Sequence, residues 1–298
     1  MSDSRSGSLT LPHGDICLGE LMAACSDLLE SRGVNDGQRE SRDIVAALLD
    51  VPRFWPTANL GTSASRELEQ TVLRAAERRA AGAPFAYAVG RASFRHLTLD
   101  VDERVLIPRV ETEVIVERIL ERCGRGTRTI ADVGTGSGAI ALSLAFEGEF
   151  AAVIGTDISL DAIVVAKQNA NSLARALKSP VEFRHGALLA PVAELQLDAI
   201  VCNPPYISFA EAIELPPEVR NWEPSISLFC REEGLQVTRD LVRGAPALIR
   251  SGGLLALEID TRRAGTVAEF IAADGRYEGI EVLLDLTGRE RFVFARRV

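Results

Sequence analysis

Beyond Arg128 the chain alternates short apolar runs with helix-length segments, and that alternation restricts its topology more than any other feature. Thr129–Val133, Ala152–Thr156, Val181–Arg184, Leu197–Val201 and Leu254–Glu258 have the length and composition of buried strands. Ala139–Phe146, Asp161–Leu177, Glu232–Ala245 and Thr261–Ala272 read as helices, with Pro246 ending the third. Parallel strands need a crossover of a dozen or more residues, which helices supply, so the pattern predicts an α/β domain whose mainly parallel sheet is covered on both faces. The last two strands, Gly279–Leu284 and Arg291–Arg296, are joined only by Asp285 to Glu290. A link that short forces an antiparallel pair.

The first 82 residues follow a different rule. Cys17, Leu18, Leu21, Met22, Cys25, Leu28 and Leu29 fall at steps of three and four, the spacing of one helix face, with Gly33 as a stop. A second set, Ile44, Val45, Leu48 and Leu49, ends before Pro52. A third helix is expected over Ser65–Ala81, with Leu68, Val72 and Ala76 inward and Arg74, Arg78 and Arg79 on a solvated face. Residues 1–82 therefore read as a small helical domain without strands. In residues 83–109, Phe94, Leu97, Leu99, Val101 and Val105 alternate loosely with polar residues, which predicts a β-hairpin linker. An extended segment broken at Pro108 follows, then a helix from Val114 to Cys123 capped by Glu111 or Thr112. The α/β domain is expected over residues 110–298.

Three strand ends carry polar or glycine-rich sequence, and in open α/β sheets ligands bind at that edge. The first strand runs into Asp132-Val-Gly134-Thr-Gly136-Ser-Gly138, where glycines allow a tight turn and close backbone approach. The second ends near Asp157, placed to accept from the two hydroxyls of a ribose. The loop fits a loose dinucleotide fingerprint, so NAD is one reading. Asp132 would set a negative charge beside a pyrophosphate, whereas beside the ammonium of S-adenosylmethionine (SAM) the same charge helps. The fourth strand delivers Asn203-Pro204-Pro205-Tyr206. Asn203 is pushed into an extended form by the following proline, and two prolines without N–H groups make a stiff corner. Its fixed carbonyls and amide suit the gripping of a planar –NH2 group.

Composition removes several classes. The 298 residues are 47% hydrophobic and carry a net charge of −9, the balance of a globular protein without the basic footprint of a phosphate-gripping one. Nucleic acid is therefore not the expected partner. No apolar run is long enough to span a bilayer, and the polar start Met1–Ser8 lacks the regions of a signal peptide, so a cytoplasmic protein is expected. Cysteines 17, 25, 123, 202 and 230 include no C-x-x-C pair, and the three histidines stand far apart. Neither a disulfide framework nor a metal site is supported.

Taken together, these residues resemble the HemK/PrmC family of SAM-dependent methyltransferases, which modify a glutamine of peptide chain release factors. The resemblance covers the chain from about Glu40 onwards. It rests on Arg78-Arg79 with Gly82-Ala-Pro84, Leu106-Ile-Pro-Arg109 with Glu111-Thr112-Glu113, the loop Asp132–Gly138, Asp157, Asn203–Tyr206, Glu223-Pro224 and Arg291–Ala295. It implies a class I methyltransferase (Rossmann-like) sheet with an antiparallel C-terminal strand, and a helical N-terminal domain that docks the partner. It implies SAM as cofactor, near Thr112, Asp132, Gly134, Gly136, Gly138, Asp157, Ala187 and Asn203. It also implies that Asn203 and Pro204 accept the hydrogens of the glutamine amide while Tyr206 packs on its plane and Pro205 stiffens the corner. Three positions depart from the family pattern: Val110 replaces a proline, Ala187 an aspartate near the adenine, and Cys230–Leu235 a Gly-Gly-x-Asp-Gly-Leu run. Two other readings use the same corner: methylation of a nucleobase amine in DNA or RNA, and a non-catalytic SAM-binding partner protein.

Overall fold

A computed structural model describes residues 16–124 and 126–298, so the polar start read as a loose terminus lies outside the described residues. The chain forms two compact units, Met1–Val89 and Gly90–Val298.

In the first unit, α1 (Leu18–Ser31), α2 (Gly37–Leu49) and α4 (Arg66–Ala80) are the three helices expected, with a short α3 (Trp55–Ala58) and α5 (Phe85–Val89) beside them. The period-four face of α1 buries Leu18, Leu21, Cys25 and Leu29 against Ile44 and Val45 of α2 and Val72 and Ala76 of α4. Glu20 accepts from the backbone N–H of Cys17 at the head of α1, and Ser65 Oγ accepts from Leu68 N at the head of α4. Among the described residues of this unit, strand pairing is confined to one antiparallel bridge, Cys17 to Ser63. The arginine row of α4 is not uniformly solvated. Arg74 is exposed, but Arg79 is half-buried, pairs with Glu40 at 3.0 Å and donates to the Ala83 carbonyl at 3.0 Å.

The second unit opens with a hairpin of β1 (Arg91–Phe94) and β2 (Leu97–Asp100), while Phe85–Val89, expected within the hairpin segment, is helical. The hairpin is no separate linker. Phe94, Leu97 and Leu99 join the core formed by Ile115 and Ile119 of α6 (Glu113–Cys123) and Leu142 of α7 (Ala139–Glu147). Five strands form the parallel centre of a seven-stranded sheet: β3 (Thr129–Val133), β4 (Ala152–Asp157), β5 (Val181–His185), β6 (Leu197–Cys202) and β9 (Ile249–Glu258). Its order is β10-β11-β9-β6-β3-β4-β5, with β10 (Tyr277–Leu284) and β11 (Glu290–Arg297) closing the edge. β11 runs antiparallel to both neighbours, as the short connection requires.

Alternate residues of the central strands feed opposite faces. Ile130, Ala199, Val201 and Leu254 face α6, α7 and α8 (Leu160–Leu173), whereas Ala131, Ile200, Leu255 and Val293 face α12 (Gln236–Gly244) and α13 (Ala264–Asp274). Between β6 and α12 the chain makes β7 (Ile207–Ser208), the turns α9 (Pro217–Trp222) and α10 (Ser225–Leu228), β8 (Phe229–Cys230) and α11 (Arg231–Gly234). The helix expected over Glu232–Ala245 starts only at Gln236. Glu232, Glu233 and Gly234 are all left-handed, with φ of 52°, 56° and 84°, a geometry that ends a right-handed helix.

Candidate active site

The parallel register sets the site. Val133 lies beside Cys202, and Cys202 beside Leu257, so Gly134, Asn203 and Glu258 emerge from neighbouring strands at one edge. Asp157 ends β4 on the other side of β3.

The glycine loop is tied down before any ligand arrives. Gly134 and Thr135 donate to the Thr156 carbonyl at 2.8 and 2.9 Å, and Gly136 N donates to Asp157 Oδ2 at 2.9 Å. Gly134, Gly136 and Gly138 have φ of 76°, 55° and 85°, which excludes most other residues. A Cβ on Gly138 would also lie 3.0 Å from Leu142 and 3.1 Å from Phe183. Asp132 is fully buried beneath the loop. Its Oδ2 accepts from Thr135 Oγ1 at 2.6 Å and Ala141 N at 3.2 Å, while Oδ1 has no partner. Burial pushes this carboxyl up to about 7 against the pull of those two donors. Burial likewise raises Asp157, whose Oδ1 accepts from Ser159 N at 2.8 Å. Each Asp157 oxygen keeps a second lone pair for a ligand hydroxyl.

A cavity of about 380 Å³ lies over these strand ends. Of the residues singled out in the sequence, Gly134, Gly136, Asp157, Ala187, Asn203, Pro204 and Pro205 line it. Thr112, Asp132, Gly138 and Tyr206 do not. Asp132 and Gly138 act from below, as anchor and hinge of the loop. Thr112 starts α6 without capping it; its hydroxyl accepts from Asn203 Nδ2 at 3.3 Å.

Tyr206 stands with a polar cluster outside the cavity lining. Burial pushes its phenol up to about 12, with the Glu258 carboxylate adding to the rise and Arg291 and Arg109 opposing it. It stays neutral at ordinary pH. Glu258 is only 1% exposed; burial pushes its carboxyl up to about 7, opposed by the polar Thr112 side chain and by the positive charge of Arg291. Its Oε2 has no hydrogen-bond partner.

Glu258, Gln236 and Asp240 escaped sequence reasoning, as did the contacts made by Arg109, Glu223 and Gly234. Glu258 ends the apolar run Leu254-Leu-Ala-Leu, and a lone acid closing a buried strand at the ligand edge was the available signal. Arg109 donates to Glu223 at 2.5 Å, and Ile107 N to the same carboxylate at 3.4 Å, which ties two cavity-lining segments together around Leu106 and Pro224. Gln236 and Asp240 of α12 line the same cavity as Ala187 and offer polar atoms there. Nothing in their local sequence marks them. Gly234 lies so close to the corner that a Cβ there would sit 2.1 Å from the Tyr206 carbonyl.

These residues suit SAM. The unpartnered Asp132 oxygen offers a negative charge near the glycine loop, Asp157 offers hydroxyl acceptors, and the cavity joins Gly134 to Asn203. The strand order and ligand edge define a class I SAM-dependent methyltransferase. The hMettl16 catalytic domain in complex with MAT2A 3'UTR hairpin 6 shares this fold, with a TM-score of 0.54 and 16% identity over 80% of this chain and 84% of that one. Residues 94–214 match the methyltransferase small domain, and residues 20–90 match the PrmC N-terminal domain. The release factor glutamine methyltransferase of Moorella thermoacetica is 47% identical over 225 residues, 75% of this chain and 78% of the relative. That of Deinococcus radiodurans is 36% identical over 282 residues, 94% and 98% of the two chains. The chain belongs to the release factor glutamine methyltransferase family.

Proposed function

We propose that this enzyme transfers the methyl group of SAM to the side-chain amide nitrogen of a glutamine in a peptide chain release factor. Membership of the family supports the reaction, and the orientation of Asn203 carries the residue-level reading. With Nδ2 directed to Thr112, Asn203 keeps Oδ1 for the hydrogens of an incoming –NH2 group. The amide nitrogen is a weak nucleophile because its lone pair is delocalised into the carbonyl. Acceptance of its two hydrogens by Asn203 Oδ1 and the Pro204 carbonyl holds that nitrogen in place and favours pyramidal geometry. Bound SAM supplies a methyl already activated on a sulfonium, so the new C–N bond forms as the C–S bond breaks and no strong base is needed. The extra proton leaves the methylated nitrogen for water. Positioning and electrostatic matching provide most of the rate.

Gly134, Gly136 and Asp157 hold the cofactor in this reading, with Asp132 beneath them. The helices of residues 1–82 dock the protein substrate, while residues 83–109 and 110–298 carry the hairpin and the transfer site. The enzyme works in the cytoplasm, where release factors act. Among the described residues no helix is long and apolar enough to cross a membrane.

The deciding experiment incubates the protein with labelled SAM and, separately, a release factor, DNA and RNA. Label is expected on a release factor glutamine only. In Asn203→Ala, turnover should fall by about a hundredfold or more while SAM affinity holds within about threefold. Absence of glutamine label, under conditions where a relative labels the same factor, would reject the reading, and label on nucleic acid would replace it.

A further inference from the structure

The segment between the Asn203 corner and α12 exposes apolar side chains beside the reaction site. Phe209 and Ile213, on the short 3-10 helix Phe209–Glu214, are 64% and 79% exposed, and Ile226 of α10 is 55% exposed. Ile226 and Phe229 line the same cavity as Asn203 and Pro204, and the Phe209 ring stacks on Phe229 with centroids 5.5 Å apart. The apolar face therefore runs outward from the cavity mouth through Phe229 to Phe209. Exposed apolar side chains scattered singly are ordinary, but a contiguous group at the mouth of a site marks a contact surface. The face is also held rigid. Ile207 and Ser208 of β7 pair with Phe229 and Cys230 of β8, and Glu211 accepts from Ser208 N at 2.8 Å. Arg263 and Arg262 both pair with Glu211, at 2.7 and 2.9 Å. A surface fixed before contact loses little conformational freedom when a partner lands on it.

Charge decides between occupants. Residues 207–235 carry six glutamates and two arginines, and the side chains of Glu214 and Glu232 are 65% and 49% exposed. Phosphate is repelled by such a surface, so a DNA or RNA strand is a poor occupant. A second copy of this chain would bring the same glutamates face to face, because a two-fold interface sets a patch against itself. A polypeptide segment with an apolar side chain and net positive charge matches both properties.

We propose that Phe209, Ile213 and Ile226 seat the chain of the protein substrate next to its target glutamine. They take an apolar side chain of that segment, while its lysines or arginines lie against the glutamates. The proposal rests on the reading of Asn203–Tyr206 as the acceptor corner. It gives the site a means of selecting a glutamine within one protein sequence over glutamine free in solution. The amide enters the corner, and the flanking chain supplies binding that the free amino acid lacks. Phe209 and Ile213 do not line the cavity, so their contribution is to the binding of the protein and not of SAM.

The test uses the full chain carrying both Phe209→Ser and Ile213→Ser. KM for a release factor should rise about tenfold, with kcat within about threefold and SAM affinity within about twofold. Ile213→Leu alone should stay near the wild type. The wild-type KM should also rise severalfold as salt is raised, because salt screens the attraction to the glutamates.

An unchanged KM in the double variant overturns the proposal, as does a loss of SAM affinity equal to the loss of kcat/KM, or a wild-type KM indifferent to salt. A wild-type dimer that the double variant breaks in sedimentation assigns the face to a second copy and overturns it as well. Should the wild type bind SAM yet methylate no release factor, the substrate reading fails alone. The affinity of the release factor for the enzyme loaded with S-adenosylhomocysteine, wild type against double variant, then decides the surface. A lower affinity in the variant upholds it, and equal affinity or no binding to either overturns it.

Discussion

Asp132 holds a carboxylate with no exposed surface and one oxygen without a partner, beneath the glycine loop that lines the cavity. Without ligand, burial pushes it up to about 7, so below that pH it is mostly protonated. A cationic ligand near Oδ1 favours the ionised form. Binding should therefore release a proton at pH 6.5, and SAM affinity should rise with pH until the carboxyl is ionised, then level off. Calorimetry in two buffers of different ionisation enthalpy measures the released proton directly. Asp132→Asn should remove both the release and the pH dependence. A pH-independent affinity in the wild type would show that the charge lies elsewhere.

At the scale of elements, the corner is braced by a part of the chain that breaks local rules. Two glutamates and a glycine in succession take the left-handed region, at a cost of about 1–2 kcal/mol for each glutamate. They are held there by Arg263, whose Nε donates to the Glu233 carbonyl at 2.6 Å and whose Nη2 donates to Glu211 at 2.7 Å. The turn follows β8, which pairs in parallel with β7 immediately after Tyr206. Gly234→Ala would drive a Cβ into the Tyr206 carbonyl, so it should lower stability by about 1–3 kcal/mol and displace the corner. Turnover well below the melting temperature should fall with it; a variant that only melts earlier would separate the turn from the chemistry. Little of this was legible beforehand. The sheet, its antiparallel edge, the glycine loop and the Asn203 corner all follow from local periodicity, glycine placement and proline stiffness. By contrast, Glu223 is chosen as a partner for Arg109, and Thr112 for Asn203, by packing between segments about ninety or more residues apart. The left-handed turn was hidden because its glutamates fit a helical pattern, while the arginines that hold it, Arg239 on Glu232 and Arg263 on Glu233, come later in the chain.

For the molecule as a whole, two buried carboxyls set an unusual dependence of stability on pH. Asp132 and Glu258 are both raised to about 7, whereas in the unfolded chain they ionise near 4. Between those values the folded state holds protons that the unfolded state has lost, so stability falls as pH rises through the window and is flat above it. Each group can contribute on the order of 3 kcal/mol to that fall. Carboxyls held down against burial, Glu211 by the Ser208 backbone N–H and then Arg263, and Asp260 by Arg262, act in the opposite sense but below about 4, where acid would protonate them. Self-repulsion at a net charge of −9 adds to the fall toward neutral pH. The transition of the Gly90–Val298 unit should therefore come at a higher temperature at pH 5.5 than at 7.5. Glu258→Gln should reduce that difference, and Asp132→Asn should reduce it further, because the two groups lie on different strands and titrate separately. The transition of the Met1–Val89 unit, which contains neither carboxyl, should not respond to either change. Saturating SAM should narrow the gap from the other side, since a ligand that favours ionised Asp132 stabilises the fold more at pH 7.5 than at 5.5. Scanning calorimetry at the two pH values, with and without SAM, distinguishes this account from simple charge repulsion, which would leave the Glu258→Gln difference as large as that of the wild type.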